Sequence, residues 1–251
     1  MLSIAPNLLT TQRLILRQWH ESDRPAFARL NADPVVRQFF PKCLTRDESD
    51  ADAARIQKTI EERGWGFWAV EVKGSGATGA SQPDVTAAGE SDITARGESD
   101  ATATGASGVT ARGESGVASP HVVAAGAPRA AFIGFVGLWV PSFTSHFTPC
   151  VEIGWRLAKE HWGNGYATEA AVACLRFGFE NLTLQQIVAF TAPLNKRSTA
   201  VMERIGMSRN PADDFDHPNV PPGDPLRRHV LYRMNRSDWE HLYVPRDAQL
   251  T

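Results

Sequence analysis

The chain has 251 residues, of which 42% are hydrophobic and 22% charged, and a formal net charge of −2. That is enough apolar material for one substantial core; no Lys/Arg cluster has the size that a nucleic acid demands, and no apolar run approaches the roughly 18 residues of a membrane span. Cys43, Cys150 and Cys174 are widely spaced and fit neither a zinc nor a C-x-x-C arrangement, so they read as free thiols of a reducing compartment, and with no signal peptide before Arg13 a cytoplasmic location is expected.

In chain order, GFWAVEVK ends at Lys73 and AFIGFVGLW resumes at Ala131, two alternating apolar runs that read as strands of one β-hairpin. Between them, residues 74–128 contain no Phe, Tyr or Trp and repeat with a period of eight: VTAAGESD at Val85, ITARGESD at Ile93, ATATGASG at Ala101 and VTARGESG at Val109. Octads so poor in apolar side chains cannot offset the ordering entropy of their backbone, and the reading is a disordered insertion at the hairpin tip of a single domain spanning 1–251. The stretch carries Asp84, Glu90, Asp92, Glu98, Asp100 and Glu114 against Arg96 and Arg112, so the acidic balance belongs to it and the remainder is slightly basic.

Next comes CVEIGWRLAKE, in which Val151, Ile153, Trp155 and Leu157 alternate at strand period. HWGNGYATEA follows, with Gly163 and Gly165 opening the run AAVACLRFGF. A glycine pair at a helix start leaves backbone N–H groups bare at the positive end of the peptide dipoles, which is a site for an anionic phosphate group. The ligand is not a dinucleotide held by G-x-G-x-x-G, because the chain reads G-N-G-Y-A-T and no strand-end acid follows at the right distance; the Gly-Lys-Ser/Thr of a Walker loop is also missing. LQQIVAFTAP reads as another strand and NKRSTAVMERIGM as a short helix, with Asn195 as N-cap and Gly206 as left-handed C-cap.

DDFDHP, from Asp213 to Pro218, gathers acids and a histidine, but adjacent residues of a loop seldom converge on one ion, so no metal is expected and the segment is read as a loop that shapes substrate choice or a plain surface loop. RRHVLYRMNRSDW supplies the last strand, with Val230, Tyr232 and Met234 alternating with His229, Leu231 and Arg233.

VEIGWRLAKEHWGNGYATEA, with NKRSTAVMERIGM after the next strand, resembles the acetyl-CoA site of the GNAT superfamily of N-acetyltransferases, in particular its RimJ/RimL-like branch of ribosomal-protein acetyltransferases. TQRLILRQWHESDRPAFARLNADPVV is similar to the first strand and helix of that branch, and GFWAVEV and AFIGFVGL to its second and third strands, so the likeness covers nearly all of the chain outside the octads. The resemblance implies an α+β fold, a mixed and mostly antiparallel central sheet of about seven strands flanked by helices and splayed between its fourth and fifth strands. It implies acetyl-CoA as co-substrate and an amine acceptor, a protein N-terminus or a small molecule, with direct transfer in a ternary complex by a monomer or homodimer.

The family's pyrophosphate-binding consensus falls on Trp162, Gly163, Asn164, Gly165, Tyr166 and Ala167, followed by Thr168, with Trp162 in place of the usual Arg or Gln and one polar contact the fewer. The edge that would pair with the pantetheine arm is Trp155, Arg156 and Leu157, one of whose N–H groups would face the thioester oxygen. Glu152 is the candidate base, against a solvated strand-face acid, and side-chain parity decides between them. Ser198 is the candidate donor to the thiolate, against a residue that helps cap its own helix, and Asn195 is a candidate cofactor contact that also serves as N-cap. Cys150 lacks a paired histidine and reads as structural rather than nucleophilic. An acyl-CoA-binding sensor or pseudoenzyme without turnover is the alternative function.

Overall fold

The computed structural model describes residues 8–74 and 131–244, so apart from Gly74 the octad stretch lies outside the described residues. The strands are β1 (Leu8–Thr10), β2 (Leu14–Arg17), β3 (Phe67–Val72), β4 (Phe132–Trp139), β5 (Glu152–Leu157), β6 (Gln186–Thr191), β7 (Ser208–Arg209), β8 (Phe215–Asp216) and β9 (Arg228–Asn235). The helices are α1 (Arg24–Ala32), α2 (Arg46–Arg63), α3 (Tyr166–Arg176), α4 (Lys196–Arg204) and α5 (Arg236–Tyr243). The sheet order is β1-β2-β3-β4-β5-β6-β9-β7, with β8 also paired to β9. Every pairing is antiparallel except that of β5 with β6. The fold is thus the α+β arrangement expected, with a nine-stranded sheet; β1, β7 and β8, two or three residues each, are too short to show a sequence period.

Neighbouring side chains on a strand point to opposite faces, and this sorts the helices. Phe67, Phe135 and Trp139 share one face, where Phe27 of α1 meets Phe135 at 6.0 Å between centroids and Arg55 of α2 lies 4.7 Å over the Trp139 ring. Trp68 points to the other face and meets Phe177, in the π-helical turn that follows α3, at 5.4 Å. On that same side Phe179 stacks on Trp239 of α5 at 5.6 Å. β4, in the middle, is buried on both faces from Ile133 to Leu138.

Two stretches depart from the sequence reading. The last strand ends at Asn235, because Asn235 and Asp238 form a capping box that starts α5 in the middle of the apparent strand run. The alternation of β9 does not become alternating burial: Val230, Leu231, Tyr232 and Met234 are all buried, since β9 lies between β6 and β7 and Leu231 packs with Val188 and Phe215.

The sheet parts between β5 and β6. They pair in parallel at Glu152 and Val188, where the Val188 N–H donates to the Val151 carbonyl at 2.9 Å. Beyond that point β6 continues in register with β9 while β5 stays with β4, so a wedge opens between the two halves of the sheet. The Leu157 carbonyl accepts from the Trp162 indole N–H at 2.8 Å rather than from a strand.

Candidate active site

The wedge opens into a cleft of about 940 Å³. Glu152, Trp155, Arg156, Leu157, Trp162, Gly163, Gly165, Tyr166, Ala167, Thr168, Asn195 and Ser198 all border it. Asn164 does not: its carbonyl accepts from Arg13 at 3.0 Å and its amide donates to the His161 and Trp162 carbonyls at 3.2 Å, so it braces the turn from behind.

The turn has the backbone that its glycines suggest. Gly163 and Gly165 sit at φ 79° and 76°, a region costly to side-chain-bearing residues, and Gly165 is the N-cap of α3. Among the described residues, the backbone N–H groups from Gly163 to Thr168 donate no hydrogen bond, the first helical bond from this end being Glu169 N–H to the Gly165 carbonyl at 3.0 Å. A row of bare donors at a helix N-terminus, bordering a cleft, has the geometry to donate to the oxygens of an anion. Its position is fixed by Glu169, which accepts from Thr11 Oγ1 at 2.5 Å, from the Arg13 backbone at 2.8 Å and from Arg13 Nε at 2.6 Å. Partial burial opposes the Glu169 charge, but these donors hold its carboxyl below the usual carboxylate range.

Along β5 the Ala158 N–H donates to Ile133 of β4, while the Val151 carbonyl faces β6. Period-two alternation therefore turns the N–H groups of Trp155 and Leu157 into the wedge and that of Arg156 towards β4. Two of the three expected edge residues offer a free donor, and Arg156 presents its side chain instead.

Glu152 shares the side-chain face of Gly154 and Arg156, the face of α1 and α2, opposite α3. Its carboxylate makes no hydrogen bond or ion pair among the described residues, and burial pushes its pKa up to about 8. Parity thus sets it against the cleft, in a protonation range suited to taking up a proton near neutrality. Cys150 is pushed up to about 11 by burial and by Glu152, so its thiol stays protonated.

Asn195 caps α4: its Oδ1 accepts from the Ser198 N–H at 3.3 Å, and its amide donates to Thr191 Oγ1 at 2.9 Å and Ser198 Oγ at 3.0 Å. Both amide protons are engaged within the protein. Because the Ser198 oxygen accepts from Asn195, its hydroxyl proton is left to point elsewhere, and the side chain borders the cleft.

Several residues enter the site that the sequence did not single out. The Arg197 guanidinium lies 4.4 Å from the centre of the Trp162 ring, borders the cleft and has no ion pair among the described residues. The polar edge of Trp162 is occupied by Leu157, so Arg197 is the cation beside the position where the consensus has Arg or Gln. Only the meeting of α4 with the turn reveals this. His217 and His229 also border the cleft with ring centroids 4.9 Å apart; burial and the neighbouring His229 push His217 down to about 4. Asp213, Asp214 and Asp216 of the same segment are paired with Arg233, Arg209 and the Arg227–Arg228 pair. The segment is thus partly wall of the cleft and partly a surface ion-pair network.

The model of the Acetyltransferase (GNAT) domain family matches residues 13–96 and 80–208. YkkB of Bacillus subtilis (strain 168) is 42% identical over 85 residues, 34% of this chain and 48% of that protein. The FsC-acetyl coenzyme A-N(2)-transacetylase of Aspergillus fumigatus is 33% identical over 118 residues, 44% of this chain and 50% of that protein. The chain spans about half the length of these relatives. The crystal structure of a GNAT-family acetyltransferase from Bacillus anthracis superposes with a TM-score of 0.58 at 19% identity, covering 92% of this chain and 99% of that one, which is a likeness of fold.

Proposed function

The chain belongs to the GNAT acetyltransferase family, and from that premise we propose that it is an acetyl-CoA-dependent N-acetyltransferase of the RimJ/RimL-like branch, moving an acetyl group directly to a primary amine. The observation that carries this reading is the row of unbonded N–H groups from Gly163 to Thr168 at the mouth of a wedge with free donors on one edge. The turn fits the pyrophosphate, with Arg197 beside it as a cation. The acetyl thioester supplies an activated acyl carbon; the residues supply position and proton management. The Trp155 and Leu157 N–H groups pair with the pantetheine arm, and one of them meets the charge that develops on the carbonyl oxygen. Glu152 takes the amine's proton, directly or through water, and the Ser198 hydroxyl donates to the departing sulfur. Asn195 positions Ser198. A protonated Cys150 thiol supports transfer without an acyl-enzyme, and the three free thiols fit a cytoplasmic setting.

Calorimetry with CoA and thiol release from acetyl-CoA with a panel of amines test the reading together. Micromolar binding with acceptor-dependent release is expected; binding without release would mark a sensor, and no binding would remove the assignment. Thiolate is already a fair leaving group, so Ser198→Ala should lower turnover only about tenfold, less than a general acid usually contributes, whatever the basicity of the amine. Wild-type turnover, or a loss that grows with amine basicity, would count against the serine.

We further propose that residues 74–128 are a dispensable excursion of a single domain. The support is the hairpin itself: Glu71 of β3 pairs with Phe132 of β4, so the two ends of the connection lie side by side. Replacing residues 75–127 by a short turn should leave Tm within a few degrees and CoA binding intact. A large loss of either would show that the octads take part in the fold or the site.

A further inference from the structure

Arg156 is a cation held in a wall of the cleft without a counter-ion among the described residues. Its Nη1 donates to Asn31 Oδ1 at 2.8 Å, its Nε is enclosed with no partner, and its guanidinium lies 4.4 Å and 5.1 Å from the centres of the Phe40 and Phe135 rings. No carboxylate bonds to it among the described residues. Arg37 and Arg55 add to the positive potential around it, and the Asp52 carboxylate, which acts against them, is itself engaged by Arg55 at 2.5 Å. Asn31 itself is fully buried and tied to Ser49 at 2.9 Å, so the guanidinium is held in one orientation. Burial and the neighbouring Arg37 lower its pKa to about 9, which leaves it charged at neutral pH.

A half-buried charge lacking an ion partner among the described residues is costly to hold, and π faces with one amide oxygen offset only part of that cost. Its place gives the cost a use. Arg156 shares the β5 face of Glu152, roughly 13 Å along the strand from it, with the Trp155 N–H between the two. The glycine turn proposed to hold the pyrophosphate lies at the start of α3, on the opposite face, so an acceptor that brings its amine towards Glu152 approaches from the side where Arg156 borders the cleft.

We propose that Arg156 recognises an anionic group on the acceptor, so that the amines this chain acetylates carry a carboxylate or phosphate on a spacer that separates it from the amine. The inference rests on the acetyl-transfer reading. Arg156 sets specificity and takes no part in proton transfer; the Nη end of the guanidinium can donate to two oxygens of one anion.

The test pairs each ω-amino acid from β-alanine upward with its amide, and O-phosphoethanolamine with ethanolamine, in kinetics and in calorimetry with CoA-loaded protein. The acids should exceed their amides at least about tenfold in kcat/KM at the favoured spacing, equivalent to about 1.4 kcal/mol. Discrimination confined to the phosphate pair would assign the anion as phosphate. In Arg156→Met the ratio should collapse towards one while CoA affinity is unchanged; in Arg156→Lys, which keeps the charge without the fork, it should fall part of the way. A wild-type ratio at or below one, a ratio that survives Arg156→Met, or CoA-loaded protein that neither binds nor acetylates any member of the panel would overturn the proposal. The wild-type comparison stands even if the variants fail to fold. Absence of CoA binding to the wild type would instead sink the acetyl-transfer reading.

Discussion

Glu152→Gln should lower kcat by about a hundredfold or more near neutral pH and leave CoA affinity intact, because general-base assistance is typically of that order and the side chain lies on the face away from the glycine turn proposed to hold the pyrophosphate. The pH profile identifies the residue. With its pKa pushed up to about 8, the Glu152 carboxyl is largely protonated at pH 7 and gains its base form as pH rises, so the wild-type rate should climb through that range. The variant should lose that limb and keep only the one set by the amine.

Stability should move the other way. A carboxyl whose pKa rises from 4.5 to about 8 on folding binds its proton more tightly in the native state, so its contribution is fully present below pH 4.5 and is lost as pH rises towards 8. Gln carries no such burden, and the variant should gain stability relative to wild type across that window. Wild-type turnover with an unshifted profile would exclude Glu152 as the base.

Gly165→Val should raise the dissociation constant for CoA well beyond tenfold, which is about 1.4 kcal/mol. A Cβ at Gly165 would meet Arg13 Nη2 at 3.5 Å, an ordinary contact, so the loss does not come from a clash within the protein. It comes from φ 76°, which a β-branched residue adopts only under strain, and from relaxation of that strain through the bare N–H row that must stay aligned. Strain of about 1–3 kcal/mol is small against a usual stability of about 5–15 kcal/mol, so the variant should fold. An acetyl thioester cut back to the pantetheine arm has no pyrophosphate to lose and should react at nearly the wild-type rate. Unchanged calorimetric CoA affinity in the folded variant would remove the turn from the site.

Much of the site was legible because it is local. Gly163, Gly165, Asn195 and Gly206 announce turns and caps through backbone geometry, and each has the cap or positive φ expected of it. α2 is hard to see in the sequence although Thr45, Glu48 and Gly64 spell its capping box and left-handed stop, because its run is mostly polar and has little apolar period to follow. Short strands such as β7 and β8 leave no period at all.

The sequence by itself determined the α+β fold, the glycine turn that opens α3 and the strand that borders the wedge, since each rests on the torsions and periodicity of neighbouring residues. Tertiary structure decided which face Glu152 takes, that Arg156 has no counter-ion among the described residues, and that Arg197 meets Trp162 and His217 meets His229 at the cleft. Those are matters of burial and of contact between segments far apart in the chain. Desolvation and charge pairing depend on what surrounds a group in space, and one-dimensional spacing carries no record of that.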